Sequence, residues 1–205
     1  MFDTVRQLIE SRVSTGRYAP GRDISDPDVT ELARLATRAP SAFNAQNWRI
    51  IAVRSPAAKA QLHSVAHGQR QVLDAPVTFI ICGTLSAHDG LGRALQQSVD
   101  AGILNASIAE GWVAAATGSY QGNPQLQRDE AYRSASLAAM TLMFAAQGMG
   151  LSTGAMSGFD AAGVVREFGL SATELPVMLV TVGYPAEGNW SQKPRKPLHE
   201  VLAFA

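Results

Sequence analysis

Residues 128–148 constrain the fold of this chain more than any other segment. They contain the run AYRSASLAAMTLMFAAQ, in which Ala, Leu and Met favour a helix and apolar side chains cover most of the circumference beyond Arg133. A helix that is apolar on most sides is stable only when other elements surround it. With 205 residues the chain can supply them, so we predict one compact domain over residues 1–205, built around a buried long helix.

Shorter helices and strands are predicted on both sides of the long helix. A first helix is capped by Asp3 and ends near Ser14, and a second is capped by Ser25 and closed by Pro40. Further helical patterns cover 56–66, 91–116 and 160–168, a turn-rich loop covers 118–124, and strands cover 48–53, 77–82, 153–156 and 177–182. Helices outnumber strands without a strict βαβ alternation, so the predicted fold class is α+β.

The composition argues against several classes of protein. The 17 Lys and Arg residues balance the 17 Asp and Glu residues, so nucleic acid is not an expected partner. The longest mostly apolar run, 137–146, is about half the length needed to span a bilayer, so no membrane partner is expected. The start MFDTVRQLIESR lacks a basic segment followed by an apolar run, and Cys82 is the only cysteine. We therefore expect a cytoplasmic protein without an intramolecular disulfide.

Several familiar kinds of site lack their sequence signals. His63 and His67 share a helix face, either as half of a metal site or as solvated surface, and no cysteine or carboxylate cluster stands beside them at ligand spacing. We therefore expect no metal. Cys82 ends an apolar strand without a basic neighbour, which favours a small buried residue over a nucleophile. No GxGxxG follows a strand and no GKS or GKT loop occurs, so any phosphate must be held by side chains.

Three segments carry polar groups suited to a phosphorylated ligand. Residues 12–17 and 193–196 are short basic runs beside flexible residues, and each alone is equally well explained as solvated surface. Residues 39–48, APSAFNAQNW, concentrate small, hydroxyl and amide side chains between a helix and a strand. Such groups suit a ring edge or a ribityl chain. In combination the three segments indicate a site for a phosphorylated cofactor.

The order of these segments resembles that of the nitroreductase family of FMN-dependent oxidoreductases, over nearly the whole chain. The matching motifs are an early Arg-x-Ser at Arg12 and Ser14, the APSxxNxQxW-like segment at 39–48 and DAPV at 74–77. Further matches are a long helix ending in Gly-x-Gly at 137–150, GAMSGFD at 154–160, VGYP at 182–185 and Lys-Pro-Arg at 193–195.

The resemblance implies a nitroreductase-like α+β fold with a mixed central β-sheet flanked by helices. It implies a homodimer joined through long helices, with FMN in a cleft at the subunit interface. NADH or NADPH would supply hydride to FMN, and a small-molecule electron acceptor such as a nitroaromatic or a quinone would receive it by a ping-pong mechanism. No catalytic side chain is expected, because the cofactor carries the chemistry. An FMN-dependent dehydrogenase or dehalogenase of the same fold, and a non-catalytic flavin-binding protein, stay open as alternatives.

The resemblance also assigns cofactor-binding residues position by position. The phosphate group is expected at Arg12, Val13, Ser14, Arg17, Lys193 and Arg195. The partner subunit would contribute Pro40, Ser41, Ala42 and Asn44, and the flavin ring would lie beside Met156, Ser157 and Gly158. Gln69 and Gln71 would contact the ribityl chain or the pyrimidine edge, with Arg70 as the competing candidate. Phe43, Trp112 and Tyr120 are candidates for the walls of the substrate pocket, although membership of the core is the favoured interpretation for each.

Three positions depart from the family pattern. Gly16 stands where many relatives have a basic residue, Asn47 replaces a common proline, and Ser157 replaces a glutamate found in some relatives. Arg17 is a candidate to restore the charge missing at Gly16. A lysine opposite the pyrimidine is also missing, and less positive charge beside reduced flavin implies a lower reduction potential.

Overall fold

The structure is a computed structural model that describes residues 2–205, with side chains from Asp3 onward. Its helices are α1 (Phe2–Ser11), α2 (Asp26–Ala36), α3 (Pro56–Val65), α4 (Gln71–Asp74), α5 (Leu91–Asp100), α6 (Ala106–Tyr120), α7 (Pro124–Gly148) and α8 (Ala161–Glu167). The strands are β1 (Trp48–Val53), β2 (Val77–Thr84), β3 (Ser152–Met156) and β4 (Glu174–Gly183). Two short 3₁₀ turns occur at Ala42–Asn44 and Leu198–Glu200.

The four strands form one sheet in the order β1-β2-β4-β3, and every neighbouring pair is antiparallel. The predicted α+β fold with a central sheet flanked by helices is confirmed. A mixed sheet with both parallel and antiparallel pairing was expected. Within residues 2–205 the parallel pairing is limited to one isolated bridge between Ser14 and Thr153. β1 and β3 are therefore the two edges of the sheet, and segments placed on opposite edges lie far apart.

Helices cover both faces of the sheet because the strands alternate two sets of apolar side chains. Phe79 and Ile81 of β2 pack with α2 and α7 on one face, whereas Ile80 packs with Leu62 of α3 and Val164 of α8 on the other. Both faces of β2 are buried, as its sequence predicted.

The long helix α7 is confirmed, but it begins at Pro124 and is not buried on most sides within one chain. Its Ala- and Leu-rich face packs against the sheet, whereas Leu137 on the opposite face is 45% exposed. At Gly83 of β2 a Cβ atom would lie 2.3 Å from the carbonyl oxygen of Ala131. Only glycine therefore allows this close approach of α7 to the strand.

Other element boundaries differ from prediction for local reasons. The predicted helical stretch 91–116 is two helices, separated at residues 101–105, where Gly102 has a φ of 69°. The second of them continues through Gly118 to Tyr120, so the predicted loop at 118–124 is shorter. α1 already includes Asp3, which lies in its first turn instead of capping it, and the one-turn helix α4 was not predicted.

Two further local predictions are confirmed, namely the cap of α2 by Ser25 and the burial of Cys82. The hydroxyl of Ser25 accepts a hydrogen bond from the backbone N–H of Asp28 at 3.2 Å and caps α2. Cys82 is completely buried, and this burial raises the pKa of its thiol to about 12, so it belongs to the core. Within residues 2–205 no helix is long and apolar enough to cross a membrane, and no three His, Cys, Asp or Glu side chains cluster as metal ligands would.

An ion pair links β1 to β4 across β2. Arg49 Nη1 lies 2.6 Å from Glu174 Oε1, and Glu174 Oε2 accepts a hydrogen bond of 2.7 Å from the backbone N–H of Ser171. Desolvation alone would raise the pKa of Glu174, but the hydrogen bonds and the charge of Arg49 outweigh it and lower that pKa below its usual 4.5. The ionised carboxylate thus stabilises the folded state.

We predict that Glu174→Gln lowers the free energy of unfolding by about 1 kcal/mol at neutral pH, because half of the Arg49 side chain is solvated. A lowered folded-state pKa contributes stability above the unfolded pKa that is lost as pH falls through the folded one. Urea unfolding at a series of pH values should therefore show the difference shrinking below pH 4.5. Glu31→Gln, which removes an exposed pair with Arg34, is the control and should change little. A difference that persists in acid would contradict the role of the ion pair.

Candidate functional site

The two ends of the chain meet beside the edge strand β3. The backbone N–H of Thr15 donates to the carbonyl oxygen of Thr153 at 2.8 Å, which places residues 14–17 along the strand. The segment after β4 returns to the same place, where the N–H of Ala186 donates to the carbonyl oxygen of Arg17 at 3.0 Å. The basic residues near positions 12 and 195 are therefore neighbours in space.

The buried hydroxyl of Tyr18 stabilises the contact between residues 14–17 and β3. The hydroxyl of Tyr18 lies 2.7 Å from Thr181 Oγ1 and 3.2 Å from the carbonyl oxygen of Thr15, and burial raises the pKa of Tyr18. Thr181 Oγ1 also donates to the carbonyl oxygen of Gly154 at 3.1 Å. A Cβ atom at Gly154 would lie 2.3 Å from the carbonyl oxygen of Thr15, so only glycine allows the turn to approach β3 this closely.

Two adjoining cavities open above this contact and share Ser14, Trp190 and Lys193. The larger, of about 330 Å³, also takes in Thr15, Arg17, Gln71 and residues of β3. The smaller, of about 60 Å³, also takes in Arg12, Val13 and Arg195. We call the two together the basic cleft. Gln71 lines the basic cleft. So do all six predicted phosphate-binding residues, which are Arg12, Val13, Ser14, Arg17, Lys193 and Arg195.

The basic cleft carries positive charge without compensating carboxylates. Arg12, Arg17, Lys193 and Arg195 line it, and no Asp or Glu does. Within residues 2–205 none of these cations forms an ion pair with a carboxylate. Guanidinium and ammonium groups bind phosphate oxygens through short charge-assisted hydrogen bonds. The donor set therefore suits a multiply charged anion such as a phosphate ester.

Thr15 and Gly16 add details that sequence reasoning did not provide. Thr15 lines the larger cavity, and its Oγ1 is buried from solvent without a hydrogen-bond partner in the described part of the chain. A Cβ atom at Gly16 would lie 3.2 Å from Gln71 Oε1. A larger residue at position 16 would therefore crowd Gln71, and Arg17 supplies a cation in the cleft instead.

The predicted ring segment lies next to the cleft. Gln69 Nε2 donates to the carbonyl oxygen of Gly158 at 2.7 Å, and Gln71 Nε2 contacts the sulfur of Met156. The two glutamines thus hold residues 156–158 in place. Met156 is buried, Ser157 is exposed, and a Cβ atom at Gly158 would meet only Gln69 Nε2, at 3.9 Å. Whether these residues contact a flavin ring stays a prediction.

Residues 40–47 do not reach the basic cleft of their own chain. They precede β1 and so lie at the edge of the sheet opposite β3, about 14 Å away across three strand spacings. Pro40, Ser41, Ala42 and Asn44 therefore cannot join the cleft within one chain. The segment is strained, because Phe43, Asn44 and Gln46 all have φ values near +50°. The Ser41 hydroxyl stabilises this conformation by accepting a hydrogen bond of 2.8 Å from the backbone N–H of Gln46.

The three aromatic residues predicted for the substrate pocket form a cluster, in which Phe43 belongs to this strained segment. The ring of Phe43 makes edge contacts with Trp112 and Tyr120, each at a centroid distance of 6.3 Å. Tyr120 is 6% exposed and belongs to the core between α5 and α6, whereas Trp112 is 37% exposed. Phe43 is partly buried against the same core, so Trp112 is the more accessible of these two rings.

Sequence reasoning missed Asn189 and Trp190, which both line the larger cavity. Trp190 is 75% exposed, and Lys193 Nζ lies 4.6 Å from the centre of its ring. The available signal was an Asn-Trp pair at residues 189–190, with two residues between it and the basic run that begins at Lys193.

Comparisons with known proteins agree with this arrangement. A provisionally named NAD(P)H nitroreductase, YodC of Bacillus subtilis (strain 168), is 34% identical over 197 residues, covering 96% of both chains. The crystal structure of ydfN from Bacillus subtilis, also a provisionally named nitroreductase, has a TM-score of 0.93 at 29% identity and covers 100% of both chains. A provisionally named nitroreductase from Exiguobacterium sibiricum 255-15, solved in complex with FMN, has a TM-score of 0.90 at 26% identity, covering 98% of this chain and 96% of that one. The family model described as Nitroreductase family matches residues 9–184, so the chain belongs to the nitroreductase family, as its motifs predicted.

Proposed function

We propose that this chain works as a homodimer in which FMN passes electrons from NAD(P)H to nitroaromatic, quinone or related small acceptors by a ping-pong mechanism. As a member of its family, the chain is an FMN-dependent NAD(P)H oxidoreductase. The observation that carries the proposal is the basic cleft, where four cations from opposite ends of the sequence converge without a carboxylate among them.

The residues of the cleft fit the phosphate end of FMN. Arg12, Ser14, Lys193 and Arg195 would hold the phosphate, with Arg17 as an additional cation. The amide of Gln71, which lines the larger cavity, suits the hydroxyl-rich ribityl chain. The exposed Ser157 and Gly158 would then lie beside the ring. Solved relatives support this fit, since the Exiguobacterium protein contains FMN.

The protein's own side chains position and shield the reacting groups. Bound FMN supplies the redox chemistry by accepting a hydride and passing electrons to the acceptor. The cleft would fix the phosphate, and Gln69 and Gln71 would keep residues 156–158 against the ring edge. No side chain is assigned the role of general acid or base.

A second copy of the chain would complete the site. Residues 40–47 lie at the sheet edge opposite the cleft, so they would have to come from the partner subunit to reach the same ligand. Exposed apolar side chains support an extended subunit interface, since Leu137 on α7 is 45% exposed and Leu198 and Phe204 in the tail are 73% and 93% exposed. Their burial by a second chain would be favourable.

Phe43 and Trp112 would then form the aromatic wall of the acceptor pocket. Trp112 is exposed, and partly buried Phe43 of the 40–47 segment makes an edge contact with its ring. Flat apolar rings bind well against such aromatic walls. Flat aromatic acceptors are favoured over flexible polar ones for this reason.

We predict that the purified protein reconstituted with FMN oxidises NADH or NADPH continuously when a quinone is added, with turnover on the order of 1 s⁻¹ or faster. Absorbance of the reduced nicotinamide measures the rate. Protein without FMN is the control and should be inactive. Protein that binds FMN tightly but shows no turnover with quinone or nitroaromatic acceptors would contradict the enzymatic function and favour a flavin-binding protein.

We also predict that Arg195→Ala weakens FMN binding roughly tenfold to hundredfold, because one charge-assisted bond to the phosphate is lost. Riboflavin, which lacks the phosphate, should bind with unchanged affinity. Flavin fluorescence titration measures both constants. Arg93→Ala removes an exposed arginine on α5, away from the cleft, and should affect neither ligand. An equal loss for FMN and riboflavin would refute the assignment of Arg195 to the phosphate.

A further inference from the structure

One side chain, that of Asn189, joins the two basic segments of the cleft. Its Oδ1 accepts hydrogen bonds from the backbone N–H groups of Gly16 and Arg17 at 2.9 and 3.0 Å. Its Nδ2 donates to the carbonyl oxygens of Arg17 and Ala186 at 2.8 and 2.9 Å. A single side-chain amide thus forms hydrogen bonds to backbone N–H groups and to backbone carbonyl oxygens of the two segments at once.

The amide group is the chemical match for this position. Two consecutive backbone N–H groups need an acceptor, and two carbonyl oxygens need a donor, all within reach of one short side chain. Aspartate of the same length would accept but not donate. Alanine would do neither and would leave the N–H groups of Gly16 and Arg17 to water.

Beyond Asn189, residues 190–205 have no hydrogen bond to the rest of the chain as the structure describes it. Within the described structure, hydrogen bonds of residues 190–205 run only to other residues of that segment, such as the bond from Arg195 Nη1 to the carbonyl oxygen of Lys193. Asn189 is therefore the last fixed point before Lys193 and Arg195. Four residues of extended chain span at most about 14 Å, so the tether keeps Lys193 near the cleft.

Gly188 strengthens the same junction. It has a φ of 81°, and a Cβ atom there would lie 2.7 Å from Arg17 Nη1. The guanidinium of Arg17 thus packs directly over the backbone beside Asn189. The early and late cations are held in one arrangement by residues 188 and 189.

We infer that Asn189 is a positioning residue that preassembles the phosphate-binding cations, tying the tail that carries Lys193 and Arg195 to the turn that carries Ser14 and Arg17. This rests on the proposed binding of FMN. Asn189 acts through the cations, so its loss should affect phosphate-bearing ligands and spare riboflavin. Without the tether, ordering the tail would cost conformational entropy each time FMN binds.

The tether itself is tested without any ligand. Amide hydrogen exchange by NMR should show the N–H groups of Gly16 and Arg17 exchanging about tenfold faster or more in Asn189→Ala than in the wild type. The N–H of Thr15, bonded to Thr153, is an internal control and should not change. Asn189→Asp keeps the acceptor oxygen but turns its second carboxylate oxygen toward the carbonyl oxygens of Arg17 and Ala186, so exchange at Gly16 and Arg17 should be intermediate between wild type and Asn189→Ala. Unchanged exchange at Gly16 and Arg17 in Asn189→Ala would overturn the tether.

The positioning role is tested by flavin titration. Asn189→Ala should weaken FMN about tenfold and riboflavin less than about twofold, and Asn189→Asp should also weaken FMN alone, because its charge repels the phosphate. In a Lys193→Ala, Arg195→Ala background the effect of Asn189→Ala on FMN should largely disappear, since the two tail cations that Asn189 tethers to the turn are absent. Asn105→Ala removes an asparagine whose side chain makes no capping bond and should change nothing.

The possible results separate the inference from the proposed function. Wild-type protein that fails to bind FMN would overturn the proposed function, and the inference with it. Wild-type protein that binds FMN, with Asn189→Ala binding equally well, would overturn the inference alone. Equal weakening of FMN and riboflavin, or full additivity in the background without the two cations, would also overturn it.

Discussion

The functional site depends on the contact of residues 14–18 with the edge strand β3. Gly154 permits the approach, and the Tyr18 and Thr181 hydroxyls hold it from below with buried hydrogen bonds. The chain after β4 pairs with the other side of the same turn. Two basic segments far apart in sequence are thereby brought to one cleft, and the free energy that holds them together comes from ordinary backbone pairing.

The sheet topology then decides what one chain can and cannot build. The basic cleft stands at the β3 edge, while the strained 40–47 segment and its aromatic neighbours stand at the β1 edge. No rearrangement within a packed four-stranded sheet brings these edges together. A ligand that contacts both edges must therefore be bound between two chains. The exposed apolar residues of α7 and of the C-terminal segment suit the subunit interface that such a site requires.

Much of the fold could be predicted because its signals are local. Ser25 caps α2 through a bond to a residue three positions away, and β1 has the predicted bounds because apolar β-formers are flanked by clear breaks. The break between α5 and α6 was missed because helical spacing continues on both sides of Gly102. The one-sided burial of α7 was missed because its sequence is apolar on most sides beyond Arg133, and the face left exposed depends on which neighbours the chain itself supplies.

The charged residues of the candidate site could be predicted from the sequence, but the contacts that hold them in place could not. Arg12, Ser14, Lys193 and Arg195 follow a recognisable motif order, and the predicted family is confirmed. The roles of Asn189 and Gly154 consist of contacts with residues far away in sequence, such as the bond from Arg17 to Asn189, so no local pattern announces them.

The composite site is tested most directly with mixed dimers. One chain type carries Lys193→Ala and Arg195→Ala, and the other carries Asn44→Asp. Aspartate tolerates the left-handed backbone at position 44 and, in the proposed composite site, would place a negative charge beside the flavin. Heterodimers are isolated with two affinity tags, and bound FMN is counted at a concentration where neither parent binds it. If the site combines the cleft of one chain with residues 40–47 of the other, about one FMN should bind per heterodimer. No recovered FMN binding in the heterodimer would contradict the composite site.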